Sequence, residues 1–518
     1  MGVINAFKAL FISGDITVGQ EQEKTVTTVI PKGRSFAGAQ QGRLTANWVA
    51  SAASADAELK GAIKLLRQRS RDLVRNNPHA KNAIRSITSN VIGPNGIKLQ
   101  SQIRKQRGGK LDQRVNDTIE MAWREWCRYD SCHTAGKLCF NDIERLCCKS
   151  LAESGEVFIR LVKKPFGRSR VPFALEILES DQLDDDYTGP STNKENTWRM
   201  GIELDEWHRA KTYAFLTKHP GDTPFPIQEG AKRHMLLPAD EVIHLYLTER
   251  PGQSRGIPWM ATAIKSLHHL DGFAEASVIR ARASSALMGF VTSPEGELDQ
   301  GGEVYDGDRV TEFSPGMFHY LENGQQIQIP DMDAPHGEFE PFMRAMLRSM
   351  ASGIGISYES LSRDYSTSNY SSSRLALIED RAQYRSLQNY FVETFHSRVF
   401  ENWLDMAVLS GSLSLPTYDI EPERYRRVKW TPRSWDWIDP KSEILAAKEA
   451  VKAGFKTQSQ VVAEQGYDLE ELLAARKNEV EQAESLGLVF DTDLNSDVIE
   501  PKATKVDESK QQSNDDET

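Results

Sequence analysis

The sequence predicts an α+β chain built around one very long helix, and three observations carry that prediction. Helical periodicity fills residues 56–128. Strand-like runs separated by Gly and Pro fill 155–250. An apolar ladder then steps by four through Leu387, Phe391, Phe395, Val399 and Trp403, with Ile378 and Ala382 before it. At 518 residues the chain is long enough for roughly two to four core-forming regions. Apolar residues are 39%, charged residues 26%, and mean hydropathy is −0.51, which suits an elongated, much-exposed protein better than one compact ball. No run approaches the ~20 apolar residues of a membrane span, so no membrane partner is expected. The opening stretch "MGVINAFKALFISGDITVG" lacks a basic n-region and a clear cleavage site, and is not expected to be a signal peptide.

Residues 1–55 are rich in Gly, Ala, Gln, Ser and Thr with little periodicity, and read as a flexible or partner-ordered segment. From Asp56 the pattern is helical, with Leu59, Ile63, Leu66, Leu73 and Val74 near one face. Pro78 opens a second helix that Gly93 ends. A third, about 111–128, carries Val115, Ile119, Trp123 and Trp126. The runs "GEVFIRLV", "FALEILES", "TYAFLTK" and "EVIHLYL" read as strands of a mixed α+β domain. From Pro258 to about Ala286 one long helix is expected, rich in small residues such as Ala274, Ala276, Ala281 and Ala283, which suits close helix packing within the chain or against copies of itself. Within the next segment "MFHYLENGQQIQI" carries a hairpin signal, with Asn323-Gly324 at the turn. "FEPFMRAMLRSMASGIGIS" returns as a helix. A hydroxyl- and amide-rich loop, "SRDYSTSNYSSS", then launches the long helix, Ser371 to Leu409, which would span about 55–60 Å at ~1.5 Å per residue. Two or three short helices follow, one opened by a capping box at Asp468 and Glu471 and stopped at Gly487, before a polar, acidic end expected to be disordered.

Charge is segregated. Thirteen Lys/Arg face one acid between Leu59 and Lys110, twelve acids face one base between Glu295 and Glu340, and nine acids face three bases from Asp491 onward, within a net charge of −11. The basic stretch reads either as a nucleic-acid or acidic-partner surface, or as the solvated helix face of Arg67, Arg69, Arg71 and Arg75. Catalytic signatures are missing: there is no GxxxxGK[ST], no GxGxxG and no GxSxG. Neighbouring His268 and His269 point about 100° apart on a helix and read as structural. Asp184-Asp185-Asp186 reads as a solvated turn rather than a Mg²⁺ site. The five cysteines, Cys127, Cys132, Cys139, Cys147 and Cys148, lack the close ligand pairs of a zinc site and read as reduced thiols. No metal, cofactor or enzymatic activity is expected. A nuclease or hydrolase, and a monomeric nucleic-acid-binding adaptor protein driven by the basic stretch, are the competing readings.

Six blocks, in order, carry a resemblance: "RSRDLVRNNPHAKNAIRSITSNVIG", "SGEVFIRL", "LEILESDQLD", "HPGD", "ERPGQSRGIPWMA" and "GIGISYESLSRDYSTSNYSSSRLALIE". Together they resemble the lambda-type (lambda family) portal proteins of tailed bacteriophages, over about residues 59–490. The resemblance implies a ring-forming portal fold of about twelve subunits at one capsid vertex of the virion, made in the bacterial host cytoplasm. Double-stranded DNA would pass through it during packaging and ejection. It also implies an order of regions: flexible segment 1–55, wing 56–256, stem helix 257–286, β-containing clip 287–338, second stem helix 339–355, tunnel loop 356–370, wing spine helix and C-terminal wing 371–439, helical crown 440–490 and acidic tail 491–518. The implied partners are the terminase large subunit, then the head–tail connector or adaptor protein, and the major capsid protein.

The same resemblance marks Arg363, Asp364, Tyr365, Ser366, Thr367, Ser368, Asn369 and Tyr370 as the tunnel loop facing DNA. Each phosphate bound by Lys or Arg releases counterions and tightens binding, so neutral donors let a sliding duplex go. Asp364 is expected to offset Arg363, and Tyr365 and Tyr370 to anchor the loop or stack neighbouring loops. Glu295, Glu297, Asp299, Glu303, Asp306, Asp308 and Glu312 become the clip surface, which would repel DNA and favour a basic partner.

Overall fold

The computed structural model describes residues 51–105, 111–222, 233–285, 339–366 and 369–487, with Arg43, Gly109 and four short strands between 290 and 328. The chain divides into Met1–Ala53 and Ser54–Thr518, and all that follows concerns the second unit.

Helix α1, Ala55–Asn76, starts at the Ser54 cap, with Asp56 and Glu58 in its first turn, where the helix dipole favours negative charge. Asn77 ends α1 and caps α2, Pro78–Val91, by accepting from the Ala80 amide at 2.8 Å. Helices α3, Gln113–Trp126, and α4, Phe140–Ser154, close over an aromatic core. Trp123 and Trp126 lie 5.0 Å apart, and Trp123 meets Phe140, Phe400 and Trp403 edge-on. Strand β1, Lys98–Ser101, pairs antiparallel with Val428–Thr431, joining segments more than three hundred residues apart in the chain.

Strand β2, Glu156–Val162, is buried at every position but Arg160. It lies between β3, Ala174–Leu178, and a strand at Val242–Tyr246, with antiparallel pairing on both edges. A meander of β4, Thr197–Arg199, β5, Ile202–Leu204, β6, Ala210–Leu216, and β7, His234–Pro238, precedes that strand, which is β8. The meander shares a second core with Phe158, Leu178 and Val242.

The small-residue helix, α5, begins at Ile264, not at Pro258. The backbone before it is already committed: the Gly256 amide donates to Glu156 at 2.9 Å and the Trp259 amide to Ala152 at 3.1 Å. From α5 (Ile264–Ser285) the chain passes through β9, Phe290–Thr292, β10, Glu303–Tyr305, β11, Asp308–Val310, and β12, Gln326–Gln328. The expected Asn323-Gly324 turn lies outside the described residues. Among the described strands β12 pairs with β9, and the hairpin is β10–β11, with Tyr305 opposite Asp308. Helix α6, Phe339–Ile354, runs back antiparallel to α5: Phe273 stacks on Phe339 at 5.6 Å, while Thr262 reaches the Gly353 carbonyl at 3.0 Å.

After α7, Tyr358–Ser362, the long helix is continuous from 370 to 409, as α8, Tyr370–Phe391, a π turn, Val392–His396, and α9, Ser397–Leu409. A ladder stepping by four overshoots a 3.6-residue turn by about 40° per step. The wider π turn takes up that drift, and Phe391, Phe395, Val399 and Trp403 are all fully buried. The turn also places His396 inside, with Nε2 2.5 Å from Glu144 and Nδ1 3.0 Å from the Phe391 carbonyl. The expected extension of the ladder fails: Ile378 and Ala382 are exposed, and Asp380, Tyr384 and Gln388 face inward instead. The reason is polar packing, because Gln388 donates to the carbonyls of Val91, which ends α2, and of Arg433, just past the Val428–Thr431 strand.

A short α10, Pro422–Tyr425, leads into β13, the Val428–Thr431 strand already met. Three exposed helices complete the described chain: α11, Pro440–Lys452, α12, Gln458–Glu464, and α13, Leu469–Ser485. Asp468 caps α13 by accepting from Glu470 and also bonds Gln100 of β1.

Candidate functional site

The hydroxyl-rich loop between α7 and α8 is short and fixed at both ends. Ser357 caps α7, and Asp380 of α8 accepts from the Ser357 amide at 2.9 Å and from the Ser357 and Ser360 hydroxyls at 2.7 Å each. Asn82 of α2 donates to the Ser360 and Leu361 carbonyls, both at 2.8 Å, so it satisfies orphan groups at the end of α7. The chain leaves α7 through Arg363 at φ +59°, the left-handed position that ends many helices.

Arg363 and Asp364, expected to offset one another in charge, hold different hydrogen-bond partners. The Arg363 Nε donates to Asn82 at 3.2 Å, while Asp364 accepts from the Ser366 hydroxyl and amide and from the Tyr358 hydroxyl. Those donors, Ser366 first, hold the Asp364 carboxyl down at about 2. Asn369 caps α8, accepting from the Ser372 amide at 2.8 Å. Ser366 and Asn369 therefore serve the loop's own geometry. The rings of Tyr365 and Tyr370 are exposed. Thr367 and Ser368 lie outside the described residues. Of the acids read as a partner surface, Glu303 and Asp308 sit in β10 and β11. Glu295, Glu297, Asp299, Asp306 and Glu312 lie outside the described residues.

The basic stretch is split. Arg67 is fully buried and Arg71 is drawn onto Asp181, Ser154 and Ser180, so the single solvated face of α1 does not exist as read. Arg67 belongs to a buried ionic node that sequence reasoning missed. Glu156 accepts from Arg67 at 2.8 Å, from Arg255 at 2.6 Å, from His244 at 3.1 Å and from the Gly256 amide. Asp185 completes it by accepting from Arg255, so the Asp184–Asp186 turn is not simply solvated. Burial alone would raise the Glu156 carboxyl, but Arg255 and then Arg67 hold it well below the usual carboxylate range. Burial lowers His244, against the pull of Glu156. Gly155, at φ +86°, and Gly256 let the two chain segments touch here: a Cβ on either would strike the other segment's backbone. The sequence signal was a charged residue opening an otherwise buried strand.

Among the described residues, the cysteines and histidines singled out in the sequence do not gather into one cluster. The cysteines are free thiols, and burial pushes Cys132 and Cys148 up to about 12, which keeps them protonated and unreactive. His268 and His269 are exposed. Glu179, Asp181 and His219 approach one another, but Asp181 is engaged by Arg71.

Comparison with known proteins identifies the family. The sequence profile of the family described as "Phage portal protein, lambda family" matches residues 41–388. The "Probable portal protein" of Halomonas phage phiHAP-1 is 31% identical over 463 residues, 88% of each chain. "Portal protein B" of Escherichia phage lambda is 22% identical, over 85% of this chain and 88% of its own length. Among solved structures, a chain of the virion of a native gene transfer agent particle superposes with a TM-score of 0.42 at 13% identity, covering 81% of this chain and 93% of its own. With a profile match over most of its length and a relative this similar, the chain belongs to the lambda family of phage portal proteins.

Proposed function

We propose that the chain assembles into a ring of about twelve copies at one capsid vertex, and that duplex DNA enters and leaves through its centre. In this reading α5 and α6 form the stem, residues 287–338 the clip, loop 356–370 the tunnel lining, the 370–409 helix the wing spine, and α11–α13 the crown. The clip is the docking surface for the terminase large subunit and then for the head–tail connector, and the major capsid protein surrounds the wing.

One observation supports the channel above all: between residues 363 and 370 the one cation and the one anion are each held by neutral partners, Arg363 by Asn82 and Asp364 by Ser366 and Tyr358. What remains for DNA is a set of neutral groups without net charge, which touch phosphates weakly and release them. The adaptor reading has less support, because Arg67 is buried and Arg71 is paired within the subunit.

Replacing Thr367 and Ser368 by Lys tests the loop without touching the cap at Asn369 or the turn at Ser366. Packaging should slow or stall while rings still form. Unchanged packaging in this double variant would remove the loop from DNA contact.

A further inference from the structure

A cleft of about 960 Å³ opens between α1, α2, α4 and β3. Its rim carries Arg75, Lys81, Arg85, Lys137, Arg145 and Lys149. Arg75, Arg145 and Lys149 have one acid each, Asp72, Asp142 and Glu153, at 3.5–3.8 Å. Lys81, Arg85 and Lys137 pair with no acid among the described residues. Of the other acids that line the cleft, Glu156 is spent on Arg67 and Arg255, and Glu179 faces His219 at 3.2 Å. The floor is apolar: Leu146 is 36% exposed, and Leu138 and Ile177 are half-buried.

We infer that this cleft receives the acidic C-terminal segment of the protein itself, residues 488–500. A cationic rim over an apolar floor asks for a strand of chain in which acids alternate with large apolar groups. The segment "LVFDTDLNSDVIE" has that composition, with Leu488, Val489, Phe490, Leu494, Val498 and Ile499 set among Asp491, Asp493, Asp497 and Glu500. A bare duplex would match the rim but not the floor. The other acidic stretch, 295–340, is tethered at both ends by α5 and α6.

The residues that open α13 line a pocket with Asn141 and Glu144 of α4, a helix that also walls the cleft. Asp468, at the start of α13, bonds Gln100 beside Asn141 and Glu144 of α4, and the same helix presents Arg145, Leu146 and Lys149 to the cleft. Beyond α13, which ends at Ser485, each further residue adds up to about 3.3 Å. A tethered ligand of this kind acts at an effective concentration near the millimolar range, so docking persists even when each exposed ion pair is weak. The consequence is a shielded wing: the tail covers cations that would otherwise hold DNA.

The test uses the full chain. Zero-length carbodiimide cross-linking with mass spectrometry should join Lys81, Lys137 and Lys149 to acids within 491–500, with yields falling at least fivefold in 0.5 M salt. Lys81→Glu with Lys137→Glu should remove the links at those two positions and sharply reduce the link from the unaltered Lys149. Adding Asp491→Lys, Asp493→Lys and Asp497→Lys to that variant should restore links of reversed polarity between the same positions, an outcome that a misfolded protein cannot give. Links from the cleft lysines only to acids of 295–340, or none at all, overturn the assignment. So does protection of these lysines from acetylation by duplex DNA without any tail link. Docking needs neither a ring nor DNA transit, so its failure and that of the channel are separate results.

Discussion

Asp364 is the residue on which the loop's geometry turns. Its carboxylate gathers the Ser366 hydroxyl at 2.6 Å, the Ser366 amide at 3.0 Å and the Tyr358 hydroxyl at 2.8 Å. These bonds favour the charged form and lower the carboxyl to about 2. A carboxyl lowered in this way contributes order that is complete above the ordinary Asp range, near 3.9. That order is lost as pH falls through about 4 toward 2. Ser366→Ala removes the largest of these contributions, so the Asp364 titration should move upward toward the ordinary value. A carbon-13 NMR titration of the side-chain carboxyl checks this, and an unmoved midpoint would mean that Ser366 does not hold the turn. Asp364 was expected to offset the charge of Arg363, and the two side chains reach different partners because the left-handed turn at Arg363 sends them apart, one back to α2 and the other along the loop.

At the scale of elements, the Glu156 node joins α1, β2, β8 and the segment before α5. Glu156→Gln leaves Arg67 and Arg255 buried without their counter-charge, and breaking a buried pair from one side costs about 3–5 kcal/mol. Urea unfolding should show that loss, and a change under 1 kcal/mol, the scale of exposed pairs, would mean water reaches the node. His244 adds a pH dependence. Its folded pKa lies below the ordinary value near 6.5, so below that pH the unfolded chain takes up a proton that the folded chain resists. Stability should therefore fall as pH drops from about 6.5 toward 5, and His244→Gln should flatten that part of the profile. The node also explains what was legible and what was not. The long helix at 370–409 was legible because Phe391, Phe395, Val399 and Trp403 share one apolar stripe. Arg67 was not, since a cation one turn past Ile63 reads as solvent-facing until its partner, far along the chain, is known. The late start of α5 and the β9–β12 pairing depend in the same way on distant backbone partners. Of the loop, the composition was legible, but not the division of labour that spends Ser366 and Asn369 on the turn and the cap.

At the scale of the molecule, the subunit leaves apolar groups uncovered along its long elements. Val278 and Ile279 on α5 are 52% and 58% exposed, and Leu375 and Ile378 on α8 are 60% and 49% exposed. Scattered single apolar residues need no explanation, but rows of them on helices mark surfaces that bind. Copies of the chain packed side by side around an axis would bury such rows, each helix meeting a different face of its neighbour, as head-to-tail rings require. Closed rings should appear in mass photometry near ~700 kDa, about twelve times the subunit, whose mass is 58.3 kDa. Val278→Asp together with Ile279→Asp places charge in that contact while leaving the subunit core untouched. The doubly substituted protein should keep its circular dichroism and melting temperature, yet run as a single subunit at concentrations where the unaltered chain forms rings. Rings that survive both charges would show that α5 does not meet its neighbour through this face. Helix α5 would then have to meet its neighbour through the small residues at Ala274 and Ala281 instead.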